Sequence, residues 1–238
     1  MTTFVLIHGA WHGGWCWHKV VARLESRGHS VFAPDLPGHG RDPMPIASVT
    51  LGDLVRRVHQ VIDTQSEPVV LLGHSYGGAI ITQASEARSA KVRSLVYLTA
   101  FLPDHGQTLM NLAGQDGESH LAGNVIASPD GDVLTVKEDC LRDCFYGQCG
   151  DDDIALARTR LGPEATAGMR TAMQTSAQGF GRLPRYYVEC LKDNTITPAM
   201  QKKLYTAMPC ERVFSLDTDH SPFFSAPDTL VEILTQIA

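Results

Sequence analysis

The sequence has 238 residues, of which 43% are hydrophobic and 19% are charged, so it is typical of a globular chain that forms one domain with room for an insertion. A net charge of −6 argues against a nucleic-acid partner, because phosphate binding needs a basic surface. Apolar runs such as Val69–Leu72 are too short to cross a bilayer, and no basic stretch precedes Phe4–Ile7. We therefore expect no signal peptide, no membrane partner and a cytoplasmic location.

Short, continuous apolar runs predict parallel strands that are buried on both faces of a sheet. In chain order these runs are Phe4–His8, His29–Ala33, Val69–Gly73, Val92–Thr99, Tyr186–Cys190 and Arg212–Leu216. Amphipathic patterns between and after them predict helices over Trp17–Leu24, Leu51–Ile62, Tyr76–Ala87 and Pro227–Ile237. The alternation predicts an α/β fold: a mostly parallel six-stranded sheet with helices on both faces.

The alternation stops between Pro103 and Leu183, where we find no strong strand pattern. Helical patterns occur instead at Val136–Phe145, Asp153–Leu161 and Glu164–Met173. Residues 104–164 contain 12 acidic and 4 basic residues, a composition unlike the rest of the chain. We predict a helical cap, or lid, over 103–183 that is inserted into a core made of 1–102 and 184–238.

Six cysteines are too widely spaced for a small disulfide scaffold, and no histidine lies between positions 121 and 219 to complete a metal site near Cys140 and Cys144. We expect free, mostly buried thiols and no metal. The chain also lacks a P-loop and a G-x-G-x-x-G motif, so we expect no nucleotide and no other cofactor.

The strongest chemical signal is Gly73–Gly78, read as GHSYGG, which fits G-x-S-x-G between a predicted strand and a predicted helix. This motif places a nucleophilic serine, here Ser75, on a tight turn that exposes its hydroxyl. Flanking glycines leave that turn uncrowded. The start of the next helix brings a positive dipole end close to a developing oxyanion.

An oxyanion hole requires two N–H donors. One comes from the residue after the nucleophile, here Tyr76, and the other from a loop after an early strand, here Ala10 in His8-Gly9-Ala10.

The base and its orienting acid follow the nucleophile in chain order for this motif. His220 is the only histidine in the last hundred residues and follows a predicted strand. Asp193, after the preceding predicted strand, is the favoured acid, and Asp217 and Asp219 are alternatives because they are closer to His220 in sequence.

These residues together resemble the α/β-hydrolase superfamily over essentially the whole chain. Within it, the chain is similar to the subgroup of plant methyl salicylate and methyl jasmonate esterases, hydroxynitrile lyases, and bacterial carboxylesterases including pyrethroid hydrolases. The resemblance rests on Phe4–Trp17 (FVLIHGAWHGGWCW), which is its most specific part, and on Gly73–Gly78, Phe101–Pro103 and Asp219-His220. It implies a catalytic triad of Ser75, Asp193 and His220, an oxyanion hole at Ala10 and Tyr76, and a minimal six-stranded sheet beneath a lid.

The expected function is a serine carboxylesterase that cleaves small neutral esters through an acyl-enzyme, without a cofactor. Hydroxynitrile lyases similar to this chain carry Thr where Gly9 stands and Lys where Ser221 stands, so lyase chemistry is an alternative that these departures disfavour. Other reactions on the same triad and a non-catalytic small-molecule sensor also stay open, and a homodimer is compatible with the sequence. The expected substrate-binding residues are Trp11, His12, Phe101, Leu102, Phe145 and Tyr146.

Overall fold

The computed structural model describes residues 1–238 and contains nine strands and ten α-helices. The strands are β1 (Thr3–Ile7), β2 (Ser30–Phe32), β3 (Val69–Ser75), β4 (Val92–Ala100), β5 (Val125–Ala127), β6 (Val133–Val136), β7 (Glu164–Ala165), β8 (Arg185–Cys190) and β9 (Arg212–Leu216). The helices are α1 (His18–Ser26), α2 (Leu51–Asp63), α3 (Tyr76–Glu86), α4 (Leu109–Ala113), α5 (Leu141–Phe145), α6 (Asp151–Arg160), α7 (Thr166–Arg170), α8 (Pro198–Ala207), α9 (Pro222–Ser225) and α10 (Pro227–Ile237). None of these helices combines the length and hydropathy that a membrane-spanning segment requires.

The main sheet has six strands in the order β2-β1-β3-β4-β8-β9, and every neighbouring pair is parallel. All seven residues of β3 are buried, and β4 exposes only Arg93, so both faces of the central strands are covered. Helix α1 packs against α10, and α2 packs against α3. The predicted six-stranded parallel sheet is confirmed, and each of its strands overlaps a predicted run.

Helix α2 shows how local sequence sets an element that supports the sheet. Its N-cap Thr50 accepts from the Asp53 N–H, and the Asp53 carboxylate accepts from the Thr50 N–H at 3.0 Å. This reciprocal capping box satisfies two backbone donors that the first turn would leave unpaired. The buried residues of α2 lie on one stripe, and that stripe faces the core: Leu51, Leu54, Val58 and Ile62.

Between β4 and β8, no residue joins the main sheet. This segment contains α4 to α7 and a second, antiparallel sheet in the order β5-β6-β7. The 103–183 segment, where the sequence shows no strong strand pattern and predicts helices, therefore also contains three short strands. These strands are two to four residues long, and β5 and β6 are largely half-buried or exposed, so they lack the continuous apolar run that marks β3.

Two helices predicted in the same segment also change character. The pattern at Val136–Phe145 begins at the end of β6 and becomes helical only at Glu138, first as a 3-10 turn and then as α5. The pattern at Glu164–Met173 begins as β7, and only Thr166–Arg170 is helical. Pairing of β7 with β6, at Leu134 and Val133, overrides the helical periodicity there.

Candidate active site

Ser75 ends β3 and precedes α3, and its backbone is left-handed, with φ of 53°. Such a φ is unfavourable for a residue with a side chain, so the turn must be held by its surroundings. Close packing provides this: a Cβ placed on Gly77 would lie 2.6 Å from the Ile7 carbonyl oxygen, and one on Gly73 would collide with the backbone of Gly77. Glycines at both positions allow the backbone approach that presents the Ser75 hydroxyl at the sheet edge.

Asp193 and His220 form a buried pair at the same edge of the sheet. Asp193 follows β8, His220 follows β9, and the His220 Nδ1 lies 2.6 Å from the Asp193 Oδ2. Both side chains are at most 1% exposed. The carboxylate also accepts from the Thr195 N–H at 2.6 Å, from the Ile196 N–H at 3.0 Å and from the Thr99 hydroxyl. These donors fix the position of the carboxylate, and its contact with His220 Nδ1 leaves Nε2 as the ring nitrogen without this partner.

The alternative acids have other partners. Asp217 is exposed and pairs with Lys192 at 2.7 Å. Asp219 is buried, but its oxygens accept from the Gln148 N–H at 2.8 Å and the Ser225 hydroxyl at 2.8 Å, together with the Ser221 N–H and the Cys149 thiol. Of the three carboxylates, only Asp193 contacts the His220 ring.

The His220 loop is fixed against the turn that carries Ser75. His74 Nε2 lies 2.8 Å from the His220 carbonyl oxygen, and the two imidazole rings are 4.6 Å apart between centroids. A carbonyl can only accept, so His74 Nε2 carries a hydrogen. Complete burial lowers the pKa of His74 well below its usual range, and the nearby His220 and His12 lower it further, so the ring is neutral.

The loop after β1 passes directly beside Ser75. A Cβ on Gly9 would lie 2.8 Å from the Ser75 Cβ, so only glycine fits without a shift of the loop. The next residue, Ala10, lines the same cavity as Ser75 and Tyr76. Tyr76 is the first residue of α3, where backbone N–H groups have no partner within the helix. The structure thus brings Ser75 together with both predicted oxyanion donors.

A cavity of about 320 Å³ opens beside Ser75. Twelve of its 17 lining residues are hydrophobic, and most of them come from the 103–183 segment. The complete lining is Ala10, Trp11, Ser75, Tyr76, Phe101, Leu109, Met110, Ala113, Gly114, Asp116, Ser119, Leu121, Ala122, Val125, Leu134, Met169 and Thr195. Asp116 is its only carboxylate, and that group accepts from the Thr197 N–H and hydroxyl, each at 2.8 Å.

Of the six residues predicted to bind substrate, the structure places Trp11 and Phe101 on the cavity wall. The other four do not line it, and the prediction is corrected there: they are Leu102, His12, Phe145 and Tyr146, each at most 2% exposed. They pack behind the site instead. Phe145 lies 5.7 Å from the His220 ring between centroids, and the Tyr146 hydroxyl lies 2.7 Å from His12 Nε2. The aromatic pattern around Phe145 therefore marked core rather than cavity.

Two buried groups near the site had no sequence motif to reveal them. Glu164 of β7 is 2% exposed and accepts from His39 Nε2 at 3.1 Å and from the Trp11 N–H at 3.3 Å. Thr99, at φ of 36°, donates to the Asp193 carboxylate from near the end of β4. No group of three or more His, Cys, Asp or Glu side chains is arranged to hold a metal ion.

Known proteins resemble the chain in both sequence and fold. Residues 4–233 match the model of the alpha/beta hydrolase family. The chain is 32% identical to putative methylesterase 11 of Arabidopsis thaliana over 99% of its own length and 63% of that protein, so it spans less than two thirds of that relative. It is also 30% identical to the alpha-hydroxynitrile lyase of the same plant, covering 99% of this chain and 96% of that protein.

Among solved structures, a pyrethroid hydrolase from Sphingobium faniae superimposes with a TM-score of 0.92 at 30% identity, covering 99% of this chain and 96% of that one. The family match extends over nearly the whole chain and includes every strand of the main sheet except the first residue of β1. The chain belongs to the alpha/beta hydrolase family.

Proposed function

We propose that the protein is a serine carboxylesterase that cleaves small neutral esters, with 103–183 acting as its cap. One observation carries the proposal: Ser75, whose backbone is left-handed, lines a largely apolar cavity close to the buried Asp193–His220 pair. Methylesterase and pyrethroid hydrolase relatives support the reaction class. The cavity favours uncharged substrates, because most of its wall is apolar and its one carboxylate already has hydrogen-bond donors.

In the first half of the reaction, Ser75 Oγ forms a bond to the ester carbonyl carbon while its proton passes to His220 Nε2. The charge that develops on the carbonyl oxygen is stabilised by the N–H groups of Ala10 and Tyr76. The ester C–O bond then breaks, and the proton on His220 passes to the departing alkoxide, which leaves as the alcohol. Asp193 holds the His220 ring and stabilises its positive charge during this step.

In the second half, a water molecule attacks the acyl-enzyme and gives a proton to His220 Nε2. The bond between the acyl carbon and Ser75 Oγ breaks, the proton returns to the Ser75 oxygen, and the carboxylic acid leaves. All of these steps use groups of this chain and water.

Hydrolysis of p-nitrophenyl acetate, butyrate and octanoate by the wild type and by Ser75→Ala tests the proposal. We expect kcat to fall by about 10³-fold or more in Ser75→Ala, because a triad without its nucleophile loses activity on that order. Ser48→Ala, a change at a surface hydroxyl that bonds the Pro45 carbonyl, is the matched control and should keep wild-type rates. A folded wild-type protein that hydrolyses none of the three esters would contradict the proposal.

Hydroxynitrile cleavage, the alternative raised by the lyase relative, is tested by adding mandelonitrile to the same assay. The tight contact of Gly9 with Ser75 leaves no room for the threonine of the similar lyases, and Ser221 stands where they carry lysine. We therefore expect no release of cyanide above the uncatalysed rate.

A cytoplasmic location and a homodimer stay predictions from the sequence.

A further inference from the structure

The peptide unit that joins Ala10 to Trp11 is held at both ends by side chains. Its carbonyl oxygen, on Ala10, lies 2.8 Å from His12 Nδ1. Its N–H, on Trp11, donates to Glu164 Oε2 at 3.3 Å. This peptide unit starts at the Cα of Ala10, whose own N–H we propose as an oxyanion donor, so its orientation sets the ψ of Ala10 and the path of the loop at that residue.

The held conformation is strained. Trp11 has φ of 63°, and it is one of only three residues other than glycine with positive φ. A left-handed residue with a side chain costs about 1–2 kcal/mol, so the peptide would turn over if its contacts were removed. Turning it over would exchange the positions of its N–H and its carbonyl. The carbonyl oxygen would then face the Glu164 carboxylate, and the changed ψ of Ala10 would alter the loop that presents the Ala10 N–H to the oxyanion.

Both contacts depend on the 103–183 segment. Glu164 belongs to β7, and its second oxygen accepts from the Ala165 N–H at 2.9 Å. His12 is held in turn by the Tyr146 hydroxyl, which lies 2.7 Å from its Nε2. Burial lowers the pKa of His12 to about 4, despite the opposing hydrogen bond to the Ala10 carbonyl, so the ring is neutral. A neutral ring that donates from Nδ1 accepts the Tyr146 O–H at Nε2.

We propose that Glu164 is a positioning residue that holds the Ala10–Trp11 peptide in its strained orientation, so that the Ala10 N–H is available to the oxyanion. The Tyr146–His12 pair has the same role at the carbonyl end. The inference rests on the proposed esterase function, which supplies the oxyanion. It assigns the 103–183 segment a part in transition-state stabilisation in addition to forming the cavity wall.

Glu164→Gln is the main test. A carboxylate accepts at both oxygens, whereas an amide accepts at only one, so either the Trp11 N–H or the Ala165 N–H must face an NH2 group. We expect kcat for p-nitrophenyl butyrate to fall by about 10- to 100-fold with KM within about 3-fold of wild type, because the lost interaction acts only in the transition state. Glu138→Gln, at an exposed glutamate in the same segment, is the matched control and should leave both constants unchanged.

Tyr146→Phe is a milder variant that removes only one hydroxyl and keeps the buried ring. We expect kcat to fall by about 3- to 10-fold at unchanged KM, since His12 loses one of its two partners. Tyr205→Phe is its control, because that hydroxyl bonds Glu189 at 3.1 Å and neither residue lines the cavity. Folded Glu164→Gln and Tyr146→Phe proteins whose kcat stays within twofold of wild type would overturn the inference.

A crystal structure of Glu164→Gln decides the inference independently of activity. We expect the φ of Trp11 to leave the left-handed region, and a Trp11 that keeps its φ near 63° would overturn the positioning role. The two proposals can fail separately. A wild type without Ser75-dependent hydrolysis contradicts the esterase proposal, whereas an active wild type with unaffected Glu164 and Tyr146 variants contradicts only the positioning role.

Discussion

At the scale of single residues, the contacts of Asp193 distinguish it from the other carboxylates near His220. Its oxygens accept from two backbone N–H groups, one hydroxyl and the imidazole. In the proposed reaction such a carboxylate would fix which ring nitrogen carries the proton and stabilise the imidazolium that forms during acyl transfer. Sequence adjacency favoured Asp217 and Asp219, but the topology places the loops after β8 and β9 side by side because those strands are neighbours.

Asp193→Asn tests this assignment. We expect kcat to fall by about 10³- to 10⁴-fold, because the amide can donate to His220 Nδ1 and so favour the wrong tautomer. Asp217→Asn, which changes an exposed carboxylate one loop away, is the control and should retain at least half of the wild-type kcat. Retention of activity by Asp193→Asn, or its loss in Asp217→Asn, would contradict the assignment; both are read from initial rates on p-nitrophenyl butyrate.

Site residues in short local motifs could be predicted from the sequence, whereas residues whose partners are distant in the chain could not. Ser75 and Ala10 lie in short motifs whose spacing follows from the turns they form, and those positions could be read directly. Glu164 could not, because its partners His39 and Trp11 are 125 and 153 residues away in the chain, and nothing local to Glu164 marks it as buried. A buried carboxylate of this kind becomes visible only when the fold brings its donors together.

At the scale of elements, the strands of the main sheet could be predicted from the sequence, whereas those of the second sheet could not. Strands β1, β3 and β4 are continuous apolar runs that are almost wholly buried, whereas the edge strands β2 and β9 are partly exposed. Every main-sheet strand nevertheless lies within two residues of its predicted run, because its apolar residues stand in one short block. Strands β5 to β7 are too short for periodicity to identify and are set by pairing across the 103–183 segment. The start of helix α7 could not be predicted for the same reason, because the helical pattern begins at Glu164, which pairs as part of β7.

The elements of the 103–183 segment should control which chain length the cavity accepts. Met169 of α7 lines the cavity, whereas Met173, four residues later, is buried but does not line it. We expect Met169→Ala to raise the octanoate-to-butyrate ratio of kcat/KM by about 3- to 10-fold, since each accommodated methylene is worth about 1 kcal/mol or more. Met173→Ala is the matched control: it should lower stability without changing the ratio. An unchanged ratio in Met169→Ala would show that α7 does not limit the acyl chain.

At the scale of the whole molecule, the site is held by histidines that are neutral in the folded protein. His8 lies 2.8 Å from the Gly9 carbonyl and 3.1 Å from the Leu36 N–H, so one ring nitrogen donates and the other accepts. His12 uses both nitrogens in the same way, between the Ala10 carbonyl and the Tyr146 hydroxyl. With His74, they form a network that joins β1, β3 and the 103–183 segment around Ser75. Protonation of any of these rings would break a bond or leave a buried N–H without an acceptor.

This network makes global stability depend on pH in a defined direction. Burial lowers the pKa of His8, His12 and His74, in the case of His12 to about 4. In the unfolded chain these rings titrate near the ordinary value of about 6.5. Between these values the unfolded state binds more protons than the folded state, so stability is present above about pH 6.5 and is lost as the pH falls toward 4. His39 acts in the opposite sense. Burial opposes its charge, but Glu164, the Pro37 carbonyl and Asp35 together outweigh burial and raise its pKa. Its contribution to stability is therefore full below about pH 6.5 and is lost as the pH rises through the raised pKa.

Three rings with lowered pKa values therefore act against one with a raised value. We expect the free energy of unfolding in urea to fall by at least roughly 2 kcal/mol between pH 7 and pH 5, since a ring with a folded pKa of about 4 alone contributes about that much over this interval. The interval lies above the ordinary range of carboxyl groups, so the histidines dominate the slope. His74→Gln should reduce the slope, because it removes one ring that must stay neutral, while His18→Asn, at an exposed ring, should leave it unchanged. An unfolding free energy that is flat or rises between pH 7 and pH 5 would mean that these rings are protonated in the folded protein, and that the network around Ser75 is not the neutral one that holds the Ala10–Trp11 peptide.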